Sequence, residues 1–162
     1  MAKKNDKTNV MRILDQANIP YRHYTYSHKG NEAVDGVSVA EQLGQPLEQV
    51  FKTLVTRGHS KDYFVFVIPV VAELDLKTAA RSVEEKSVEM IHVAEINKIT
   101  GYIRGGCSPI GMKKQYRTVI DSTAQSLDTM IYSGGKIGYQ VETSPTDLSR
   151  LIGASFADIT KK

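Results

Sequence analysis

The chain has 162 residues, of which 41% are hydrophobic and 24% are charged, and this composition excludes wholesale disorder and predicts a buried core. The 21 basic and 18 acidic residues give a net charge of +3, which is too small to require a nucleic-acid partner but is compatible with RNA if the cations share one face. A single cysteine, Cys107, excludes an internal disulfide and any metal motif that needs two cysteines.

No run of residues approaches the roughly 20 apolar positions of a membrane span. The charged start, residues 1–7, lacks the apolar segment of a secretory signal. We therefore expect a cytoplasmic protein without membrane contact. No linker divides the chain, so residues 1–162 are expected to form one domain, with its core at about 8–159.

In chain order, apolar residues at helical spacing first predict a helix over residues 8–18. The alternating, aromatic stretch 21–26 predicts a strand, and the polar stretch 28–36 predicts a loop. Ser38-Val39-Ala40-Glu41 has the pattern of a capping box, which predicts that a helix begins at Ser38. Gly44 predicts its end.

A short helical turn is expected after Pro46. The apolar runs 50–56 and 63–71 then predict a β-hairpin. Further on, Ser144 followed by Pro145 has the composition of a helix start. The other predicted elements, in chain order, are helices at 74–82 and at 93–101, strands at 117–121, 129–132 and 137–142, a helix from 144 to 153 and a strand at 154–159.

These six or seven strands and four or five helices do not alternate as βαβ units. They predict an α+β fold with a mixed β-sheet that curls into a partial or closed barrel flanked by helices.

The most glycine-rich stretch is residues 101–111, with the sequence GYIRGGCSPIG. It is either a tight structural turn or a loop that offers peptide N–H groups to an oxyanion, a phosphate or a carbonyl oxygen. It has neither the spacing of a dinucleotide fingerprint nor the lysine of a P-loop. A second glycine pair, Gly134-Gly135, follows Ser133.

Lys52 interrupts an apolar strand. Strand alternation places Phe51 and Thr53 on one face and Lys52 with Leu54 on the other. The lysine is therefore either an edge charge that reaches water or a cation in a cleft, where it could bind phosphate or a developing oxyanion.

The remaining reactive residues do not form a recognisable catalytic set. Cys107 has no local base to activate it as a nucleophile. The four histidines have no metal-ligand spacing, so no metal site is predicted. Asp147 is most simply an acid at a helix start.

Three motifs together resemble the YbaK family of aminoacyl-tRNA deacylases, which are free-standing relatives of the editing domain of prolyl-tRNA synthetase. They are FKTL at residues 51–54, the glycine-rich stretch 101–111 and SGGK at 133–136. The resemblance extends over nearly the whole chain and is greatest to the branch that deacylates Cys-tRNA(Pro).

The resemblance implies an enzyme that acts in trans on the 3′ end of mischarged Cys-tRNA(Pro), with Cys-tRNA(Cys) as a further candidate substrate. Such editing is needed because binding alone discriminates poorly between small side chains. The family implies no cofactor, and prolyl-tRNA synthetase is a candidate partner. In the implied reaction the thiol of the substrate attacks its own ester carbonyl and forms a thiolactone, so no protein nucleophile is required.

The resemblance also implies roles for individual residues. Lys52, Gly105 and Gly106 would act in catalysis, the glycines by presenting amides to the carbonyl oxygen. The implied substrate-binding residues are Tyr26, Thr53, Ser133, Gly134, Gly135 and, as the weakest correspondence, Asp147. Cys107 stands where relatives often have an aliphatic residue. Two alternative functions remain. One is editing of Ala-tRNA(Pro), and the other is non-catalytic binding of a tRNA end or a synthetase.

Overall fold

A computed structural model describes residues 7–30 and 32–162, so most of the charged start of the chain lies outside the described residues. The helices, in chain order, are α1 (Asn9–Gln16), α2 (Gly36–Leu43), α3 (Leu76–Ser82), α4 (Ile96–Thr100) and α5 (Pro145–Ile152). The strands are β1 (Arg22–Thr25), β2 (Phe51–Gly58), β3 (Tyr63–Pro69), β4 (Val88–Met90), β5 (Arg117–Asp121), β6 (Met130–Ser133), β7 (Tyr139–Thr143) and β8 (Ser155–Ala157). Short 3₁₀ turns occupy Leu47–Gln49, Val93–Glu95 and Ser122–Ser126.

The strands form two sheets. The smaller sheet is antiparallel with the order β1-β7-β6, and the larger has the order β4-β2-β3-β5-β8. In the larger sheet β2 and β3 form the predicted antiparallel hairpin, whereas β3–β5 and β5–β8 are parallel pairs. A parallel bridge between Val50 and Ile131 joins the two sheets at the start of β2. The predicted α+β class is confirmed, and the barrel is partial rather than closed.

Alternation along β3 explains how the larger sheet is buried on both faces. Val65 and Val67 face a cluster that also contains residues of α1, β6, β7 and α5. Phe64, Phe66 and Ile68 face a second cluster with the two buried alanines of α3. The hairpin is therefore held between two apolar layers, which fixes the position of the residues at the start of β2.

Several predicted helix ends are confirmed. Ser144 Oγ accepts a hydrogen bond from the Asp147 N–H at 3.0 Å, and Pro145 occupies the first position of α5. Gly44, Gly101 and Gly153 end α2, α4 and α5 in the left-handed conformation. Glycine adopts this conformation without the steric penalty that a side chain brings.

Two predictions from the sequence were wrong. α2 begins at Gly36 rather than at Ser38, because the carboxylate of Asp35 accepts hydrogen bonds from the Ser38 N–H at 2.9 Å and from Ser38 Oγ at 2.8 Å. Ser38 therefore lies inside the first turn, and the capping-box prediction fails. The described residues also contain eight strands instead of six or seven, because β4 was not predicted. Two of the three residues of β4 are exposed, so it shows no alternation of apolar and polar residues.

None of the described helices has the length and apolar character that a membrane crossing requires.

Candidate active site

A cavity of about 910 Å³ lies where the start of β2 meets the smaller sheet. Four segments supply most of its lining: residues 32–37 before and at the start of α2, residues 51–54 of β2, Arg104, Gly105 and Cys107 of the glycine-rich loop, and the facing parts of β6 and β7. This volume is in the range of small-molecule and cofactor sites. The described residues contain no group of three His, Cys, Asp or Glu side chains that could hold a metal ion.

Five of the residues named from the sequence line this cavity together. They come from four different parts of the chain: Tyr26, the adjacent pair Lys52 and Thr53, Gly105, and Ser133. The remaining four, which are Gly106, Gly134, Gly135 and Asp147, do not line it.

Lys52 lies in the cavity wall as a half-buried side chain near the start of β2. Burial lowers the pKa of its ammonium group, and the negative charge of Glu73 partly offsets this effect. Among the described residues its ammonium makes no ion pair. A cation in this position is free to interact with a carbonyl oxygen or a phosphate that enters the cavity.

Thr53 supplies a second free polar atom. Its Oγ1 is buried and has no hydrogen-bond partner within residues 7–30 and 32–162. A buried hydroxyl without a partner costs about 1–3 kcal/mol, so such groups are rare unless they serve another purpose. Thr53 lines the cavity, but this oxygen has almost no exposed surface, so a ligand reaches it only after a small movement of the wall.

Gly105 lets two walls of the cavity meet. Its φ is +86°, and a Cβ atom here would lie 2.8 Å from Cβ of Ala33. Any side chain would therefore push the glycine-rich loop away from residues 32–37. The N–H of Gly105 has no partner among the described residues, so it is available to a ligand.

Gly106 is placed differently from its neighbour. Its N–H donates to the carbonyl of Ile103 at 2.9 Å, so this amide is used inside the loop. A Cβ atom on Gly106 would lie 3.1 Å from the backbone nitrogen of Ile137. Gly106 therefore allows the loop to pack on the turn at 136–137, and of the pair only Gly105 lines the cavity.

The second glycine pair forms the turn between β6 and β7. The N–H of Gly134 donates to the carbonyl of Tyr139 at 2.9 Å, and the N–H of Gly135 donates to Oγ of Ser133 at 3.2 Å. Ser133 lines the main cavity, whereas Gly135 lines a smaller one of about 260 Å³. Asp147 lies in the first turn of α5 and lines neither cavity.

One whole wall of the cavity, residues 32–37, was not predicted from the sequence. This stretch was predicted only as a polar loop. The one signal in the sequence was that residue 36 is a glycine. In the structure a Cβ atom at this position would lie 2.3 Å from Cγ1 of Val70, so a larger residue does not fit. A glycine at a helix start that permits so close a packing indicates that the segment before it has a fixed position.

Gln140 of β7 was also missed. It is buried, it lines the cavity, and its Oε1 accepts a hydrogen bond from Nε2 of Gln45 at 2.8 Å. Its place opposite β1 depends on strand pairing, so the sequence carries no direct signal for it.

Residues 31–151 match the sequence profile of the aminoacyl-tRNA editing domain. The chain belongs to this family.

Full-length similarity points in the same direction. A relative from Enterococcus faecalis, which bears the name "Putative Cys-tRNA(Pro)/Cys-tRNA(Cys) deacylase EbsC", is 45% identical over 100% of this editing domain chain and 99% of its own length. Two solved structures share the fold. The hypothetical protein APE2540 has a TM-score of 0.85 at 21% identity, covering 95% of this chain and 100% of its own. A "putative trans-editing enzyme for prolyl tRNA synthetase" has a TM-score of 0.78 at 20% identity, covering 96% of this chain and 99% of its own.

Cys107 is the only thiol in the cavity wall of this editing domain. Burial raises its pKa to about 12, so the thiol is protonated near neutral pH. A neutral thiol is a poor nucleophile. Its surroundings therefore argue against covalent catalysis by Cys107.

Proposed function

We propose that this protein is an aminoacyl-tRNA deacylase that acts in trans and removes cysteine from Cys-tRNA(Pro). The observation that carries the proposal is the 45% identity, over both full lengths, to the relative named for deacylation of Cys-tRNA(Pro) and Cys-tRNA(Cys). Membership of the aminoacyl-tRNA editing domain family supports it, because removal of a wrongly attached amino acid is the purpose of editing.

The free polar groups of the cavity suit the ester that joins an amino acid to a terminal ribose. The Lys52 ammonium and the Gly105 N–H are donors without a partner among the described residues. Both would stabilise the negative charge that develops on the carbonyl oxygen. Thr53, Tyr26 and Ser133 would complete the wall around the ribose and the amino group.

We propose that the cysteine of the substrate supplies the nucleophile. Its sulfur attacks its own ester carbonyl, a C–S bond forms, and the C–O bond to the ribose breaks. The proton of the thiol goes to the ribose oxygen, which leaves as a hydroxyl, and the thiolactone then opens in water to free cysteine. The contribution of the protein is to hold the thiol near the carbonyl and to stabilise the oxyanion.

Selection of the tRNA is a separate matter from the chemistry. A net charge of +3 offers little attraction for the whole body of a tRNA. We propose that prolyl-tRNA synthetase is the partner that presents its own mischarged product. Cys-tRNA(Cys) would then be a substrate whenever that partner is absent.

The test is a deacylation assay with purified protein and three substrates: cysteinyl-, alanyl- and seryl-tRNA(Pro). We expect rapid loss of cysteine and much slower loss of serine, because a hydroxyl is a weaker nucleophile than a thiol. Loss of alanine at the rate of cysteine would contradict the mechanism and favour editing of Ala-tRNA(Pro). Tight binding without turnover would instead favour a non-catalytic module.

Cys107→Ala separates the thiol of the protein from that of the substrate. The variant should deacylate Cys-tRNA(Pro) at close to the wild-type rate, because the buried Cys107 thiol is neutral. Cys107→Ser is the matched control for packing in the cavity wall. Complete loss of activity in both variants would show that the protein supplies the nucleophile.

A further inference from the structure

A second cavity of about 260 Å³ lies beside the main one. Its walls include the aromatic rings of His28 and Tyr102 and the apolar side chains of Ile103 and Ile137. Three of its residues, Gly30, Gly101 and Gly135, are glycines with positive φ, so part of the wall has no side chains. Apolar space next to aromatic rings is the kind of site in which a nucleobase stacks.

The two cavities share a thin partition. It consists of Gly105 and Gly106 on one side and of Lys136 and Ile137 on the other. A Cβ atom on Gly105 would lie 3.5 Å from Cγ1 of Ile137, and one on Gly106 would lie 3.2 Å from Cα of Lys136. Because the partition is only two backbone segments thick, the two cavities are near neighbours, and an RNA end held in one has to pass over this partition to enter the other.

A cation stands on each side of this partition. Arg104 lines the main cavity, Lys136 lines the second, and both side chains are exposed. Neither forms an ion pair with any residue in 7–30 or 32–162. An exposed, unpaired cation on the wall of each cavity is the kind of group that binds the phosphate of an RNA strand extending from one cavity to the other.

We infer that the second cavity binds the nucleotide that precedes the terminal nucleoside of the substrate RNA, with its base in the cavity and the connecting phosphodiester between Arg104 and Lys136. This inference rests on the proposed function, which places the aminoacylated terminal nucleoside in the main cavity. The single-stranded end of the RNA then runs from one cavity to the other across the partition. The main cavity positions the ester, and the second fixes the direction from which the RNA enters.

The inference is tested with two cysteinyl esters that differ by one nucleotide. One is the 3′-cysteinyl ester of adenosine, and the other is the same ester of the dinucleotide cytidylyl-adenosine. Lys136→Ala should lower kcat/KM for the dinucleotide by about tenfold, the worth of one phosphate contact, and leave the rate on the adenosine ester unchanged. Lys86→Ala, an exposed lysine that lines neither cavity, is the control with the same charge change and should affect neither substrate.

The salt dependence gives an independent readout. Wild-type kcat/KM for the dinucleotide should fall with added salt, and the slope should shrink by about 0.7 in Lys136→Ala, as expected for the loss of one phosphate contact on a single strand. If Lys136→Ala leaves the dinucleotide rate and its salt slope unchanged, or lowers both esters equally, the second cavity is not a nucleotide site. If wild-type protein cleaves neither these esters nor Cys-tRNA(Pro), the proposed function itself is wrong.

Discussion

Lys52 combines three properties that structural lysines rarely share: it is half-buried, it lines the main cavity, and it has no counter-ion among the described residues. Lys52→Ala should lower kcat/KM for Cys-tRNA(Pro) by about 100- to 1000-fold, as does removal of one oxyanion donor in other enzymes. The melting temperature should not fall, because a half-buried ammonium without a partner costs free energy of folding.

Two variants control this experiment. Lys52→Met keeps most of the side-chain volume and should lose as much activity as Lys52→Ala. Lys77→Ala removes an exposed lysine of α3 that lines neither cavity and should keep full activity. A Lys52→Ala protein that is unfolded, or one that is folded and fully active, would contradict the assignment.

The roles of some residues could be distinguished from the sequence and those of others could not. The interruption of an apolar strand by Lys52 is visible in the sequence, and strand alternation then predicts its face. The different roles of Gly105 and Gly106 are not visible in the sequence. They differ because the N–H of Gly106 bonds to Ile103 and Gly106 packs on the turn at 136–137. Adjacent identical residues give one pattern, and only the tertiary contacts separate them.

Among the elements, α2 connects helix stability with the cavity. Asp35 caps this helix and also belongs to the cavity wall. Asp35→Ala should lower the free energy of unfolding by about 0.5–2 kcal/mol, because the helix loses its cap. It should also raise KM, because the hydrogen bonds from Ser38 no longer hold this part of the cavity wall in place. Ser38→Ala removes only the hydroxyl and keeps the backbone N–H that Asp35 binds, so its effect should be smaller in both measurements.

Urea unfolding and steady-state kinetics on Asp35→Ala and Ser38→Ala decide whether Asp35 or Ser38 caps α2. An effect of Ser38→Ala larger than that of Asp35→Ala would restore the capping box that the sequence predicted. The sequence pattern misled because Ser and Asp are both strong caps, and they stand three residues apart here. Which of them caps the helix depends on where the preceding segment is held.

The junction of the two sheets depends on Glu142 of β7. Its carboxylate accepts hydrogen bonds from the hydroxyls of Tyr24 and Thr129 and, at 3.2 Å, from Nε2 of Gln49. These donors come from β1, from the residue before β6 and from the 3₁₀ turn that leads to β2. One side chain therefore ties together the smaller sheet and the segment that carries Val50.

Glu142→Ala should lower the free energy of unfolding by about 2–4 kcal/mol, because three donors lose their shared acceptor. Tyr24→Phe removes one donor and should cost about 1 kcal/mol. Guanidinium unfolding gives both values. Glu89→Ala, an exposed glutamate of β4, is the control and should leave stability within about 0.5 kcal/mol of wild type. An equally small effect of Glu142→Ala would show that the junction does not depend on these bonds.

For the whole molecule, local patterns predicted the class of fold but not its closure. The hairpin of β2 and β3 follows from two adjacent apolar runs, and its pairing was predicted. The parallel pairs β3–β5 and β5–β8 join segments that are distant in the chain, and no local signal specifies them. The cavity lies where the two sheets meet, so its composition could be predicted only for residues inside recognisable motifs.

Protonated groups buried in the folded protein make its stability sensitive to alkaline pH. Burial raises the pKa of Cys107 from 9.0 to about 12 and that of Tyr102 from 10.0 to about 12, and it raises the pKa of Tyr132 as well. The unfolded chain therefore releases these protons at lower pH than the folded one. Their contribution to stability is complete below about pH 9 and is lost as the pH rises towards 12.

Urea unfolding midpoints at about pH 7.5, 9 and 10.5 should therefore fall steeply over the upper interval. Cys107→Ala removes the group with the lowest unfolded pKa, so its midpoint should fall less between about pH 9 and 10.5, whatever its stability at neutral pH. Tyr102→Phe should reduce the fall chiefly above about pH 10, where the unfolded tyrosine ionises. Parallel curves for wild type and Cys107→Ala would mean that the thiol titrates alike in both states and that burial does not hold it neutral.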